Sequence, residues 1–197
     1  MEKLAINGGE PIHPGNWPAW PVYDEDEREA LMQVLESRVW WRTPGTQTLA
    51  FEQEFANYHD AKYGIAVTNG TAALEVAIAA LGIGAGDEVI VPDFTFVATA
   101  SAVLTAGAMP VMVDCTPDTY CIDPQLAEEA ITPRTRAIIA VHMGGHPADL
   151  DRLQEICRKH NLYLAEDSAH AHGTEWKGRK IGAIGDIGTF KIGRAHV

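Results

Sequence analysis

Three short stretches carry residue types that could do chemistry. "TNGT" (68–71) sets Gly70 and Thr71 at the start of a helical pattern. Glycine lets a backbone approach a ligand closely, and a helix start offers free N–H groups at the positive end of the dipole. That combination is a seat for phosphate; the competing reading is a plain helix cap by Asn69 or Thr71. "PDFTF" (92–96) supplies Phe94 and Phe96, either of which could stack on a flat heteroaromatic ring, with core packing as the competing fate. "EDSAHAHG" (166–173) puts Asp167 directly after an apolar run. A carboxylate in a partly dry site is costly without a cationic partner, and a protonated ring nitrogen is one such partner. His170 and His172 follow it, and His142 and His146 follow another apolar run. Their spacing matches no familiar metal-ligand pattern, so they read as groups that orient a ligand or cap a turn.

The elements that must position these residues alternate along the chain. Apolar runs at 63–67, 88–92, 110–114, 137–141 and 162–166 read as strands, and residues up to Phe190 as the start of another. Helical patterns fall at 24–38, 47–58, 71–81, 96–107 and 149–160, with a short helix opened by Asp123 and Pro124. The strands are continuously apolar rather than alternating. This predicts an α/β fold with a mostly parallel sheet and helices on both faces. In such sheets ligands bind beyond the carboxyl ends of the strands, where all three stretches lie. "GIGAGDE" (82–88) leads from helix to strand, the reverse of a dinucleotide-binding loop, and reads as a helix stop and turn. Residues 1–23 read as an extended arm.

The formal net charge of −12 disfavours nucleic acid and anionic membrane surfaces as partners. Cys115, Cys121 and Cys157 show no metal spacing and fit small thiols in a reducing compartment. The N-terminus lacks a signal-peptide core, so a cytoplasmic protein is expected. A phosphate seat, a ring-stacking aromatic and a carboxylate for a ring nitrogen on one sheet edge together suggest pyridoxal 5′-phosphate. The Asp would keep the pyridine nitrogen protonated and the ring an electron sink.

The stretches "VTNGTAALEVAIAALGIGAGDEVIVPDFTFVATASAV", "DPQLAEEAITPRTRAIIAVHMGGHPADLD" and "EDSAHAHGTEWKGRKIGAIGDIGTF", with the opening "LAINGGEPI", closely resemble the DegT/DnrJ/EryC1/StrS (sugar) aminotransferases. The resemblance spans about residues 4–190. It implies the large domain of the type I pyridoxal-phosphate fold and transfer of an amino group from Glu or Gln to a keto-sugar or cyclitol. It also implies a homodimer when intact. By position, Gly70, Thr71 and Ala72 would hold the cofactor phosphate, Phe96 would stack on its ring, and Asp167 would pair with its pyridine nitrogen. His170 stands where the family has Gln or His near the phenolic oxygen. "WWR" (40–42) stands in a segment that helps form the substrate side in the family.

The tail departs from that pattern. The family continues past "GDIGTF" with a phosphate-binding Ser and, a few residues later, the Lys that holds the cofactor covalently. Here those positions are Lys191 and His196. Family members with His at that place are sugar 3-dehydratases, which makes such a dehydratase the alternative chemistry. Lys191 comes five positions early, a shift of over about 15 Å along a strand and onto its other face. "IGRAHV" resembles a translated sequencing adapter, so 191–197 is expected to be a non-native tail on a truncated chain. Residues 1–190 would then be a partial large domain without the C-terminal small domain, providing no catalytic lysine. A non-functional gene fragment is the remaining alternative.

Overall fold

Apolar strands that alternate with helices need neighbours on both sides and cover on both faces, and here most of them obtain both. The computed structural model describes residues 3–13, 15 and 21–193. The chain forms two compact units, 1–47 and 48–197. In the first, a 3-10 turn spans Ala5–Asn7, and α1 spans Glu25–Ser37. Asp24 and Glu27 form a capping box at the start of α1, and acidic residues fill its first turn, where they complement the dipole. Leu31 and Leu35 of this helix are exposed. Trp40 and Trp41 belong to this unit and are also exposed.

From the boundary onward come α2 (Gln47–Tyr58), α3 (Gly70–Ala80), β1 (Glu88–Pro92), α4 (Ala98–Thr105), β2 (Met109–Val113) and α5 (Pro124–Glu129). They are followed by β3 (Thr135–Val141), α6 (Leu150–His160) and β4 (Tyr163–Asp167). A small hairpin, β5 (Glu175–Trp176) and β6 (Arg179–Lys180), precedes β7 (Ile187–Thr189). Five strands form one parallel sheet in the order β2-β1-β3-β4-β7. Successive side chains point to opposite faces. Ile90, Ile138 and Leu164 pack with Leu150, Leu153 and Ile156 of α6 on one face. Val89, Val91, Ile139 and Ala165 pack with Ile78 of α3 and Val103 of α4 on the other. Along α6, Leu150, Leu153 and Cys157 recur at helical spacing and are buried, while Asp149 caps its start. Burial and then the Asp186 charge push the Cys157 thiol up to about 12, which keeps it an inert packing group.

One expectation needs correction. Residues 63–67 join no ladder among the described residues; the segment is held by Ala66 N–H donating to Glu52 Oε1 at 2.9 Å, with Tyr63 and Ile65 exposed. A short apolar run signals a strand only where a neighbour accepts its hydrogen bonds, and composition cannot show the neighbour. The predicted strand at 110–114 is observed as β2, which forms one edge of the sheet, with Met109 and Met112 exposed. The predicted turn at 82–88 is observed, with Gly82 at φ +70° ending α3.

β7 depends on a missing side chain. A Cβ at Gly188 would lie 1.9 Å from the Gly182 carbonyl oxygen. Gly188→Ala is therefore expected to lower stability by about 2–3 kcal/mol, read from the urea unfolding midpoint. An unchanged midpoint would mean that β7 is not packed this way.

Candidate active site

Asp167 ends β4 on the face that carries Ala165, toward α3 and α4. Its main-chain neighbours in the sheet are Val141 and Thr189. Asp167 as a residue is 7% exposed. Oδ2 accepts a hydrogen bond from Thr99 Oγ1 at 3.0 Å, and Oδ1 accepts from the Ala169 N–H at 3.2 Å. No cationic side chain of the described residues forms an ion pair with it. A carboxylate this dry, with neutral donors alone, is prepared for a cation that comes from outside the chain.

The phosphate seat lies at the same edge. Two residues beyond Thr189, the Lys191 Cβ lies 3.1 Å from where a Cβ at Gly70 would sit. The start of α3 thus faces the continuation of β7, at the carboxyl end of the sheet. Asn69 caps α3, its Oδ1 accepting from the Ala72 N–H at 2.9 Å. The cap reading and the seat reading therefore hold together, with Ala72 N–H serving the cap. Gly70 and Thr71 offer N–H groups that have no acceptor within the helix.

Of the two candidate aromatic residues, Phe94 packs against Tyr120 with ring centroids 5.5 Å apart. Phe96 is 55% exposed and has no ring partner among the described residues. It lies three residues before Thr99, on the loop that opens α4, and so belongs to the Asp167 side of the edge. His170 lies exposed in the turn after β4. His172 packs edgewise on Phe55, at 6.2 Å, and near Phe190, at 5.5 Å. Partial burial, then the charges of Lys191 and His170, hold the His172 imidazole below its ordinary 6.5. His196 lies outside the described residues.

His142 and His146 serve elsewhere. The His146 ring bonds to the Pro147 carbonyl at 2.9 Å. His142 is fully buried; its Nδ1 accepts from the Ala148 N–H at 3.1 Å, so Nε2 carries the hydrogen and donates to Glu166 Oε2 at 3.0 Å. Glu166 was not foreseen. It points away from Asp167, toward the α6 face, and is also fully buried. Its carboxylate accepts from the N–H groups of Gly182 (2.8 Å), Ile184 (2.8 Å) and Gly185 (2.6 Å). Burial pushes this carboxyl up, but His142 and the backbone donors outweigh it and hold it below the ordinary 4.5. Glu166 thereby pins the turn that feeds β7, and β7 places Thr189 beside Asp167. The available signal was an acid inside an apolar strand, which requires several donors.

Relatives share this arrangement's sequence and fold. L-glutamine:2-deoxy-scyllo-inosose aminotransferase of Streptomyces kanamyceticus is 42% identical over 200 residues, covering 99% of this chain and 47% of the relative. The crystal structure of 3-amino-5-hydroxybenzoic acid synthase superposes with a TM-score of 0.87 at 46% identity, covering 89% of this chain and 46% of that one. The protein Spr1654 of Streptococcus pneumoniae, solved in its PLP-form, superposes with a TM-score of 0.81 at 35% identity, covering 86% of this chain and 47% of that one. The chain thus spans about half the length of the relatives it matches. The sequence pattern shared by one family matches residues 21–191, nearly all of the second unit and much of the first. On that match, the chain belongs to the DegT/DnrJ/EryC1/StrS aminotransferase family.

Proposed function

We propose that this chain is the cofactor-binding part of a pyridoxal-phosphate-dependent aminotransferase that moves an amino group from glutamine or glutamate to a keto-sugar or cyclitol. The observation that carries the reading is Asp167, a buried carboxylate with no cationic partner among the described residues, at the carboxyl end of a parallel sheet. The residues fit the group chemically. The start of α3 at Gly70 and Thr71 binds the phosphate through backbone N–H groups and the helix dipole. The exposed face of Phe96 stacks on the ring. Asp167 holds the proton on the pyridine nitrogen, and His170 stands near the phenolic oxygen. Bound in this way, the cofactor supplies an electron sink for breaking a bond at the donor's α carbon.

The donor and substrate class rest on kinship, since the S. kanamyceticus relative is named for L-glutamine and 2-deoxy-scyllo-inosose. We infer that the whole protein acts in the cytoplasm as a homodimer. No helix among the described residues is long and apolar enough to cross a membrane. Position 196, where the family uses its lysine, is His in this sequence. The test is an assay of the full-length product of the source gene with L-glutamine or L-glutamate and a panel of keto-cyclitols and keto-sugars. Amino transfer to a member of the panel is the expected result. Cofactor-dependent loss of a sugar hydroxyl, without amino transfer, would contradict the reading and favour the dehydratase chemistry.

A further inference from the structure

Asp167 can meet a ring nitrogen only if its carboxylate is held in one orientation. A carboxylate rotates readily about its last bond, because that torsion has broad wells. Two donors from two different elements remove the freedom here. The Ala169 N–H comes from the turn after β4, and the Thr99 hydroxyl comes from the first turn of α4. Thr99 is fully buried. A hydroxyl has one hydrogen to give, and Thr99 gives it to Asp167. The 2.8 Å contact between Thr95 Oγ1 and Thr99 Oγ1 must then run from Thr95 to Thr99. The result is a directed relay, Thr95 to Thr99 to Asp167, that starts on the loop carrying Phe96. A hydroxyl that itself accepts a hydrogen bond is a stronger donor.

We propose that Thr99, oriented by Thr95, is the positioning residue that aims the Asp167 carboxylate at the pyridine nitrogen of the bound cofactor. The proposal rests on the pyridoxal phosphate reading of the site. It also links two parts of that site: the loop that presents Phe96 to the ring face carries Thr95, whose hydroxyl orients the Thr99 donor to Asp167.

The test is the affinity of the full chain for two compounds, measured by isothermal titration. One is pyridoxamine 5′-phosphate. The other is its carbocyclic analogue, with C–H in place of the ring nitrogen. Thr99→Val keeps the shape and removes the donor; circular dichroism checks that it folds. The variant is expected to bind pyridoxamine 5′-phosphate about tenfold more weakly than wild type, the scale of one hydrogen bond to a charged group. The carbocyclic compound should show less than a twofold change, because it has no nitrogen to align. Thr99→Ser, which restores the hydroxyl, should return the affinity for pyridoxamine 5′-phosphate. An equal loss for both compounds would assign Thr99 a purely structural role and overturn the proposal. So would an unchanged affinity. If the wild-type chain binds neither compound, the pyridoxal phosphate reading itself falls, and the proposal with it.

Discussion

Asp167→Ala in the full-length enzyme is expected to lower turnover by about a thousandfold, the scale of losing a preorganised electrostatic partner of the reacting system. The reason lies in the environment of this carboxylate. Asp167 as a residue is 7% exposed, and its carboxylate carries two neutral donors and has no cation among the described residues. Charge buried in this way costs free energy in the absence of a cation and is repaid when one arrives. A protonated ring nitrogen is stabilised by the same contact, so the interaction works in both directions. Asp167→Asn separates the two contributions, because the amide keeps the shape and loses the charge. It should be nearly as inactive as Asp167→Ala while folding better. Turnover within tenfold of wild type in either variant would remove Asp167 from the chemistry.

Glu166→Gln is expected to cost about 2–6 kcal/mol of stability, because two buried donors are left unpaired at about 1–3 kcal/mol each. The change looks conservative, but the site is made of donors. Oε1 accepts from Ile184 and Gly185, and Oε2 accepts from Gly182 and His142. Whichever way the new amide turns, its NH2 group faces two donors and leaves them unpaired. Urea unfolding gives the number, and a loss under 1 kcal/mol would mean that the turn at 182–185 does not depend on this carboxylate. The same group fixes an acid limb. Its folded value lies below the ordinary 4.5. A depressed carboxyl stabilises the fold above its unfolded value, and that contribution drains away as pH falls through the folded value. Stability should therefore decline below about pH 4.5, and Glu166→Gln should flatten that decline.

Sequence alone singled out residues that the structure brings to one sheet edge, because they stand where the pattern of the chain changes. The helix of residues 70–80 was readable from its composition and from the Asn-Gly-Thr start, and Asn69 does cap it. Asp167 stood out because an acid ended an apolar run. The face it shares with Ala165 then followed from strand alternation. What stayed hidden were partnerships across large sequence separations. Thr99 and Asp167 are 68 residues apart, and no local pattern marks which threonine of "TFVATASAVLT" (95–105) reaches a carboxylate. Glu166 sits in the same strand as Asp167 but faces the opposite way, and its donors come from a glycine-rich turn with no periodicity to read. Residues 63–67 failed in the opposite sense. Their apolar run promised a ladder, yet they pair with no strand among the described residues, and the Ala66 N–H bonds the Glu52 side chain instead. Ladders depend on neighbours, and the neighbour of a run is set by the fold as a whole.

A crystal structure of the chain with pyridoxamine 5′-phosphate would decide whether this sheet edge holds the cofactor, and in which orientation. The phosphate is expected against the N–H groups of Gly70 and Thr71, the ring against Phe96, and the ring nitrogen within hydrogen-bond distance of Asp167. A ligand bound elsewhere, or at this edge with its ring nitrogen turned away from Asp167, would contradict this placement.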